Sequence, residues 1–216
     1  MNKKYLRVGL LLLLLAIPTF FVLFLHLFGK NKFDLQIYSP YTADCGGSPE
    51  KTHTVPDFSL VSQDGKAFSL KDLEGKIYVT DFIFTRCPSI CKDMSSQLLR
   101  VQEAFKDRDD IRILSHSVDP EHDTPEVLKA YAQDYGINTK FWTLLTGNKD
   151  VIYKQAQCAY FLPVQKGSNG EIDFVHSERL VLIDKEKRIR GYYDGTKRDE
   201  VDRLIMEIQI LLQAYE

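Results

Sequence analysis

Two cysteines separated by three residues are the part of this sequence best suited to chemistry. Cys87 and Cys91 lie in residues 85–91 (TRCPSIC), between an apolar run and a helical pattern. A thiolate is both a nucleophile and a ligand for soft metals, and the amides at a helix start, with Arg86 and Lys92 nearby, favour it. The pair therefore predicts either disulfide exchange or metal binding.

The spacing of the two cysteines does not choose between these chemistries. Residues four apart on a helix have Cβ atoms about 5–6 Å apart, whereas a disulfide needs about 3.5–4.5 Å. If Cys87 lies in the loop before the helix, that gap can close, and a metal ion between the sulfurs can also fill it. Both readings stay open on spacing alone.

His176 offers a nitrogen donor to the same site. It lies in residues 173–177 (DFVHS), just before an apolar run at 180–183 that is typical of a buried strand. A thioredoxin-like oxidoreductase is expected to have a cis-proline at the turn into that strand, but no proline follows Pro163 here. Two thiolates and an imidazole suit Cu(I) or Zn(II) and suit hard cations poorly.

Alternating strand and helix patterns predict the elements that position these residues. Residues 58–70 predict a hairpin that turns at Asp64-Gly65. We expect strands over 77–84, 111–118, 141–145, 180–183 and 189–193, and helices ending at about 105 and spanning about 125–135, 148–159 and 198–214. Asp123 or Thr124 should cap the helix that starts at Pro125. This order predicts a thioredoxin-like α/β fold, a central sheet flanked by helices.

The amino-terminal residues predict a membrane anchor. Residues 6–28 form a 23-residue apolar run in which Arg7 and His26 are the only ionisable side chains. As a helix it is about 34 Å long, enough for a hydrocarbon core of about 30 Å. It is too long for the apolar region of a signal peptide, and no cleavage site follows it. Basic residues before the run predict a single-pass protein with its amino terminus in the cytoplasm and its domain on the extracytoplasmic side.

Composition and charge indicate the domain organisation and exclude one class of partner. Apolar residues make up 44% and charged residues 27%, as in globular proteins. We expect a cytoplasmic tip and transmembrane helix over 1–32, a stalk over 33–55 and a domain over 56–216. Residues 33–216 hold 23 basic and 30 acidic residues, a net charge of −7. This acidic balance argues against nucleic-acid binding.

Three sequence blocks together resemble the Sco/SenC family of copper proteins. They are TRCPSIC at 85–91, SVDPEHDTP at 117–125 and VHS at 175–177, and the resemblance covers about residues 54–213. It implies a membrane-tethered thioredoxin-like domain that delivers copper to the dinuclear copper centre of cytochrome c oxidase. It also implies Cu(I) or Cu(II) ligation by Cys87, Cys91 and His176. Lys92 stands where many members have a second proline. This difference removes no ligand from the implied set.

The resemblance implies a binding protein rather than an enzyme. Its partners would be the copper-bearing oxidase subunit, other copper carriers or thiol reductases. The alternative is a thiol–disulfide oxidoreductase that keeps the oxidase cysteines reduced, with Cys87 as the nucleophile and Cys91 as the resolving thiol. A copper-responsive sensor is a further option, and the sequence lacks the polar constellation of a thiol peroxidase.

Three other residues have roles that the sequence leaves open. The family match gives Asp119 a role beside the ligands or in docking a partner, while a turn before the helix explains it equally well. Cys45 and Cys158 either form a disulfide in an oxidising compartment or remain thiols. Sequence spacing cannot decide this, because it does not give their distance in the fold.

Overall fold

The computed structural model describes residues 3–28, 35–42, 45, 48, 50–87, 90–163, 165–166, 172–174 and 177–215. The chain divides into two compact units, Met1–Phe33 and Asp34–Glu216. The first unit contains helix α1 (Lys3–Phe28), which has Pro18 in its interior. Among the residues whose side chains are described, no helix combines the length and apolar character that a membrane crossing requires. The transmembrane span expected from the sequence therefore stays a prediction.

The second unit alternates strands and helices in the order that the sequence predicts. Its strands are β1 (Ser59–Ser62), β2 (Ala67–Ser69), β3 (Ile77–Ile83), β4 (Ile111–Ser117), β5 (Trp142–Thr146), β6 (Gln165–Lys166), β7 (Ile172–Phe174), β8 (Arg179–Ile183) and β9 (Ile189–Asp194). Its helices are α2 (Ile90–Phe105), α3 (Pro125–Asp134), α4 (Lys149–Lys154) and α5 (Arg198–Ala214). The predicted strands and helices are confirmed with small shifts at their ends, and the short pair β6–β7 is an addition.

Seven strands form one mixed sheet in the order β2-β1-β5-β4-β3-β8-β9. Strands β3, β4 and β5 run parallel to one another. Strands β1, β8 and β9 pair antiparallel with their neighbours. Parallel pairs joined through helices, with a hairpin at one side, are the connections expected of an α/β sandwich. The predicted mixed α/β fold with a central sheet flanked by helices is confirmed.

Strand β3 separates two apolar clusters, one on each face of the sheet. Ile77, Val79 and Ile83 pack with α2, α3 and α5. Tyr78 and Phe82 point to the opposite face and pack with α4 and the π-helical turn Gln155–Ala159. This alternation follows from the two-residue period of a strand. It decides which buried polar groups lie beside the cysteines.

Of the two residues expected to cap helix α3, only one does so. Thr124 is the N-cap, its hydroxyl accepts a hydrogen bond from the Val127 N–H, and Pro125 stands at the first helical positions. Asp123 is fully buried instead of capping the helix. Its carboxylate therefore serves contacts inside the domain, described below.

The chain before β1 lies along the last strand of the sheet. The Tyr38 N–H donates to the Ile189 carbonyl at 2.8 Å, and the Val55 N–H donates to the Lys187 carbonyl at 2.9 Å. The Tyr38 ring also meets Tyr192 edge to face, with centroids 5.6 Å apart. These contacts cover part of the edge strand β9, whose backbone groups would otherwise be open to another strand.

Candidate functional site

The structure brings Cys87 and Cys91 together at the junction of β3 and α2. After β3 ends, the chain turns, and the Cys87 N–H donates to the Phe84 carbonyl at 3.1 Å. Helix α2 starts at Ile90, and the Cys91 N–H donates to the Cys87 Sγ at 3.3 Å. Both side chains are thiols and each is only 4% exposed. Cys87 thus lies in the loop before the helix, the arrangement that allows both disulfide exchange and shared metal ligation.

The environment of Cys91 favours its protonated form. Burial raises the pKa of the Cys91 thiol far above its usual range, and hydrogen bonding and charge from Cys87 raise it further. The backbone of Phe84 lowers this pKa, and the carboxyl of Asp81 raises it slightly. Removing charge from water is costly, so a buried thiol keeps its proton until a cation or an oxidant replaces it.

A buried carboxyl group lies on the same face of the sheet as the cysteines. Asp81 is fully buried in β3, and its Oδ1 accepts a hydrogen bond from Ser115 Oγ at 2.5 Å. The Trp142 Nε1–H donates to the same hydroxyl at 2.8 Å. Burial raises the pKa of Asp81 to about 7. Sequence reasoning missed this residue, although an acidic side chain inside a largely apolar strand is a signal in itself.

The loop between β4 and α3 lies beside the cysteine loop. Asp119, predicted to support the ligands, is half-buried and forms an ion pair with Arg86, Oδ2 to Nη2 at 2.6 Å. Its backbone N–H donates to Ser117 Oγ at 3.1 Å. The Asp119 carboxylate thus ties the residue before Cys87 to this loop. Its role beside a metal or a partner stays a prediction.

Three polar side chains of this loop also lie close enough to hold a cation. One ligand atom each from Asp119, His122 and Asp123 lies within 4.8 Å of the other two. Both oxygens of Asp123, however, already accept hydrogen bonds from protein donors, among them Thr85 and Ser117. Because a hard cation would have to displace these donors, the cluster is better explained as a hydrogen-bonded support for the neighbouring loop.

The remaining predicted ligand lies outside the described residues. His176 follows β7 by two residues and precedes β8 by three in the sequence. The described neighbour on its carboxyl side is Ser177, whose Oγ accepts a hydrogen bond from the Arg179 N–H at 3.2 Å. The ligand role of His176 therefore stays a prediction.

The other two cysteines form a disulfide. Cys45 and Cys158 are bonded with Cα atoms 5.3 Å apart, although 113 residues separate them in sequence. Cys158 lies in the π-helical turn that follows α4. Of the two states that the sequence left open for this pair, a disulfide or two thiols, the structure has the disulfide. The disulfide ties the chain before β1 to the domain.

The fold and the dithiol together define the class of protein. An α/β sandwich with two buried cysteines at the junction of β3 and α2 has the architecture of a thioredoxin-like domain. The SCO1/SenC family profile matches residues 46–213. The chain belongs to the SCO1/SenC family.

Individual relatives agree with this membership. The chain is 32% identical over 169 residues to the SCO1 protein homolog of Bacillus subtilis (strain 168), covering 76% of this chain and 88% of that protein. It is similar to the structure of BsSco, described as a member of the Sco family of cytochrome c oxidase assembly proteins, with 31% identity and a TM-score of 0.64 over 82% of this chain and 97% of that one. Arabidopsis thaliana ScoI, solved with copper bound, matches with 29% identity and a TM-score of 0.59 over 72% of this chain and 98% of that one.

Proposed function

We propose that this chain binds copper through Cys87, Cys91 and His176 and delivers it to the copper-bearing subunit of cytochrome c oxidase. The observation that carries the proposal is the adjacent pair of buried thiols at the start of α2. Membership of the SCO1/SenC family supports it, as do a related protein described as an oxidase assembly factor and another solved with copper bound.

The donors of this pair fit a soft metal ion. The Cys91 N–H donates to the Cys87 sulfur, so the two cysteines lie close enough to turn their sulfurs to one cation once their thiol protons leave. Thiolate and imidazole ligands select Cu(I), while calcium and magnesium prefer oxygen. The low exposure of both cysteines keeps water from competing for the metal. With His176 as the third donor, the set would hold one ion per chain.

Transfer would proceed by exchange of thiolate ligands. A partner thiolate attacks the bound Cu(I), one protein sulfur leaves the metal, and that sulfur takes up a proton. The raised pKa of Cys91 favours this step, because the released sulfur returns to its preferred protonated form. The metal stays bound to sulfur throughout, and no electron is transferred.

We further propose that α1 tethers the domain to a membrane on its extracytoplasmic side. The central apolar side chains of this helix are exposed in the structure, for example Leu12 at 64% and Phe20 at 66%. An exposed apolar surface of this kind requires a lipid or protein cover. The full chain should therefore remain in the membrane fraction after a high-salt wash, and recovery in the soluble fraction would contradict the tether.

The copper proposal is tested by titrating the reduced full-length chain in detergent with Cu(I) against a competing chelator. We expect one copper per chain. Cys87→Ser, Cys91→Ser and His176→Ala should each weaken binding by more than about 100-fold, above the losses typical of residues behind the ligands. His53→Ala is the matched control, since His53 bonds to the Ala159 carbonyl at 2.8 Å on another part of the domain. Equal affinity of His176→Ala and the parent chain would remove His176 from the site.

The same pair of thiols favours a second function, disulfide exchange. Cys87 lies in the loop and can attack a partner disulfide, and Cys91 lies close enough to resolve the mixed disulfide. The product would be a Cys87–Cys91 disulfide and a reduced partner. Rapid reduction of an oxidised peptide of the oxidase copper site, without copper binding, would favour this reductase over the copper carrier.

A further inference from the structure

A buried carboxylate outside the proposed ligand set holds the loop that carries Cys87. Asp123 is completely inaccessible to solvent, and its two oxygens make four polar contacts, three of them hydrogen bonds accepted from Thr85 and Ser117. Oδ2 accepts from the Thr85 N–H at 3.0 Å and from Ser117 Oγ at 2.5 Å. Oδ1 accepts from Thr85 Oγ1 at 2.5 Å and pairs with His122 Nδ1 at 2.9 Å.

Two of these four contacts go to a single residue of the cysteine loop. Thr85 gives Asp123 both its backbone N–H and its hydroxyl, so both its chain position and its side chain are fixed. Thr85 lies inside the turn closed by the hydrogen bond from the Cys87 N–H to the Phe84 carbonyl. Only Arg86 separates it from Cys87. A displacement of Thr85 must therefore be passed on to the Cys87 sulfur.

The other end of the carboxylate is fixed to the sheet. Ser117 is the last residue of β4, and the following Val118 N–H donates to the Ile83 carbonyl of β3 at 2.8 Å. The Asp123 N–H donates to the Asp119 carbonyl at 2.9 Å, which closes the loop on itself. The carboxylate thus bridges the end of strand β4 and the turn that leads to Cys87.

We infer that Asp123 is a positioning residue for the dithiol: through Thr85 it sets the placement of the Cys87 sulfur against Cys91. This inference rests on the proposed function, because it concerns the same pair of cysteines. Held sulfurs react with each other as an intramolecular pair, so a fixed loop favours both the disulfide and shared metal ligation. A loosened loop should disfavour both.

The test measures the Cys87–Cys91 midpoint potential in the metal-free full-length chain. Redox-buffered protein is alkylated, and the peptide that contains both cysteines is quantified, which separates this pair from Cys45 and Cys158. Thr85→Val removes the hydroxyl donor but keeps the backbone bond, and Asp123→Asn replaces one acceptor oxygen. We expect each to lower the disulfide-forming equilibrium constant at least tenfold, a potential about 30 mV more positive. Thr85→Ser restores the donor and should restore the parent value.

Thr80→Val is the matched control. It makes the same change of threonine to valine, but within β3. The Thr80 hydroxyl donates to the Leu114 carbonyl at 3.0 Å, on the face of the sheet opposite to the cysteines. It should lower stability without moving the potential. An unchanged potential in Thr85→Val, or an equal shift in Thr80→Val, would overturn the inference. If Asp123→Asn does not fold, the comparison of Thr85→Val with Thr85→Ser still tests the inference. The potential is measured without metal, so a failure of the chain to bind copper would contradict the proposed function and leave this test of Asp123 unaffected.

Discussion

At the scale of single residues, the proton on Cys91 controls how tightly the site holds a metal. A raised thiol pKa means that metal binding must expel a proton at neutral pH. Binding should therefore strengthen as pH rises, since the proton competitor becomes scarcer. Release of one proton from Cys91, and up to one from Cys87, predicts that Cu(I) affinity rises between about 10-fold and about 100-fold per pH unit.

Competition titrations between pH 6.5 and 8.5, corrected for the titration of the chelator, measure this slope. Cys158→Ser is unsuitable as a control because it opens the disulfide, and His53→Ala serves instead and should keep the parent slope. An affinity that stays constant over this range would mean that no thiol proton is displaced, contrary to ligation by Cys91.

The residues of the site differ in how far sequence alone could locate them. Cys87 and Cys91 could be placed because the strand, turn and helix that carry them are local in sequence. Asp123 could not, because its role depends on a hydrogen bond to Thr85, 38 residues away. Its place before Pro125 indicated a helix cap, and burial against a neighbouring loop overrode that local preference. Asp81 was missed for the same reason, as its partner Ser115 belongs to the next strand.

At the scale of elements, β3 and β4 carry two buried ionisable groups on opposite faces of the sheet. Asp81 faces the cysteine side, and burial raises its pKa to about 7. His116 stacks on Phe82 on the other side, with centroids 4.8 Å apart, and burial lowers its pKa to about 4. Both groups are therefore neutral in the folded chain at pH 5.5, and both are mostly charged in the unfolded chain, where their pKa values are about 3.9 and 6.5.

These two shifts act in opposite directions on stability. Between about pH 4 and 7 the folded chain keeps a proton on Asp81 that the unfolded chain has lost, so stability falls as pH rises. Between about pH 4 and 6.5 the unfolded chain holds a proton on His116 that the folded chain lacks, so stability rises with pH. Each slope is about 1.4 kcal/mol per pH unit at full effect, and the two offset each other.

Separate variants should reveal the two slopes. In urea unfolding of residues 34–216 at pH 4.5, 5.5 and 6.5, Asp81→Asn should gain stability relative to the parent chain as pH rises. His116→Phe should lose relative stability over the same range. Parallel pH profiles for the two variants and the parent chain would show that neither buried group has the shifted pKa described here.

The elements themselves were the part of the fold most open to sequence reasoning. The run of β-branched and aromatic residues in β3 and the helical spacing in α2 could be recognised because β3 is buried along its whole length and α2 buries one face. Strands β6 and β7, with two and three residues, are too short to leave such a pattern. The order of strands in the sheet is a property of long-range contacts, and fold class was the limit of what periodicity could indicate.

At the scale of the whole molecule, one disulfide joins the chain before β1 to the π-helical turn that follows α4. Since 113 residues separate Cys45 and Cys158, the cross-link removes much of the freedom of the unfolded chain. The double variant Cys45→Ser, Cys158→Ser should unfold with a free energy lower by about 2–5 kcal/mol. Urea unfolding measures this loss, with the reduced parent chain as a matched control.

The same double variant should keep the Cu(I) affinity of the parent chain, because the two cysteines that it replaces lie outside the proposed ligand set. Equal stability of variant and parent, or a large loss of copper affinity, would contradict a purely structural disulfide. Sequence could not choose this pairing, because the distance between two residues so far apart depends on the finished fold.

Linkage between redox state and metal binding is the central claim for the whole protein. A Cys87–Cys91 disulfide removes both thiolates, so whatever binds the reduced pair must make that pair harder to oxidise. The most direct measurement is the midpoint potential of this pair with and without saturating Cu(I), read from the alkylation of its own peptide. Each tenfold excess of free Cu(I) over its dissociation constant should raise the potential by about 30 mV. A potential that does not change with Cu(I) would show that metal and dithiol do not share a site, and the copper proposal would fail.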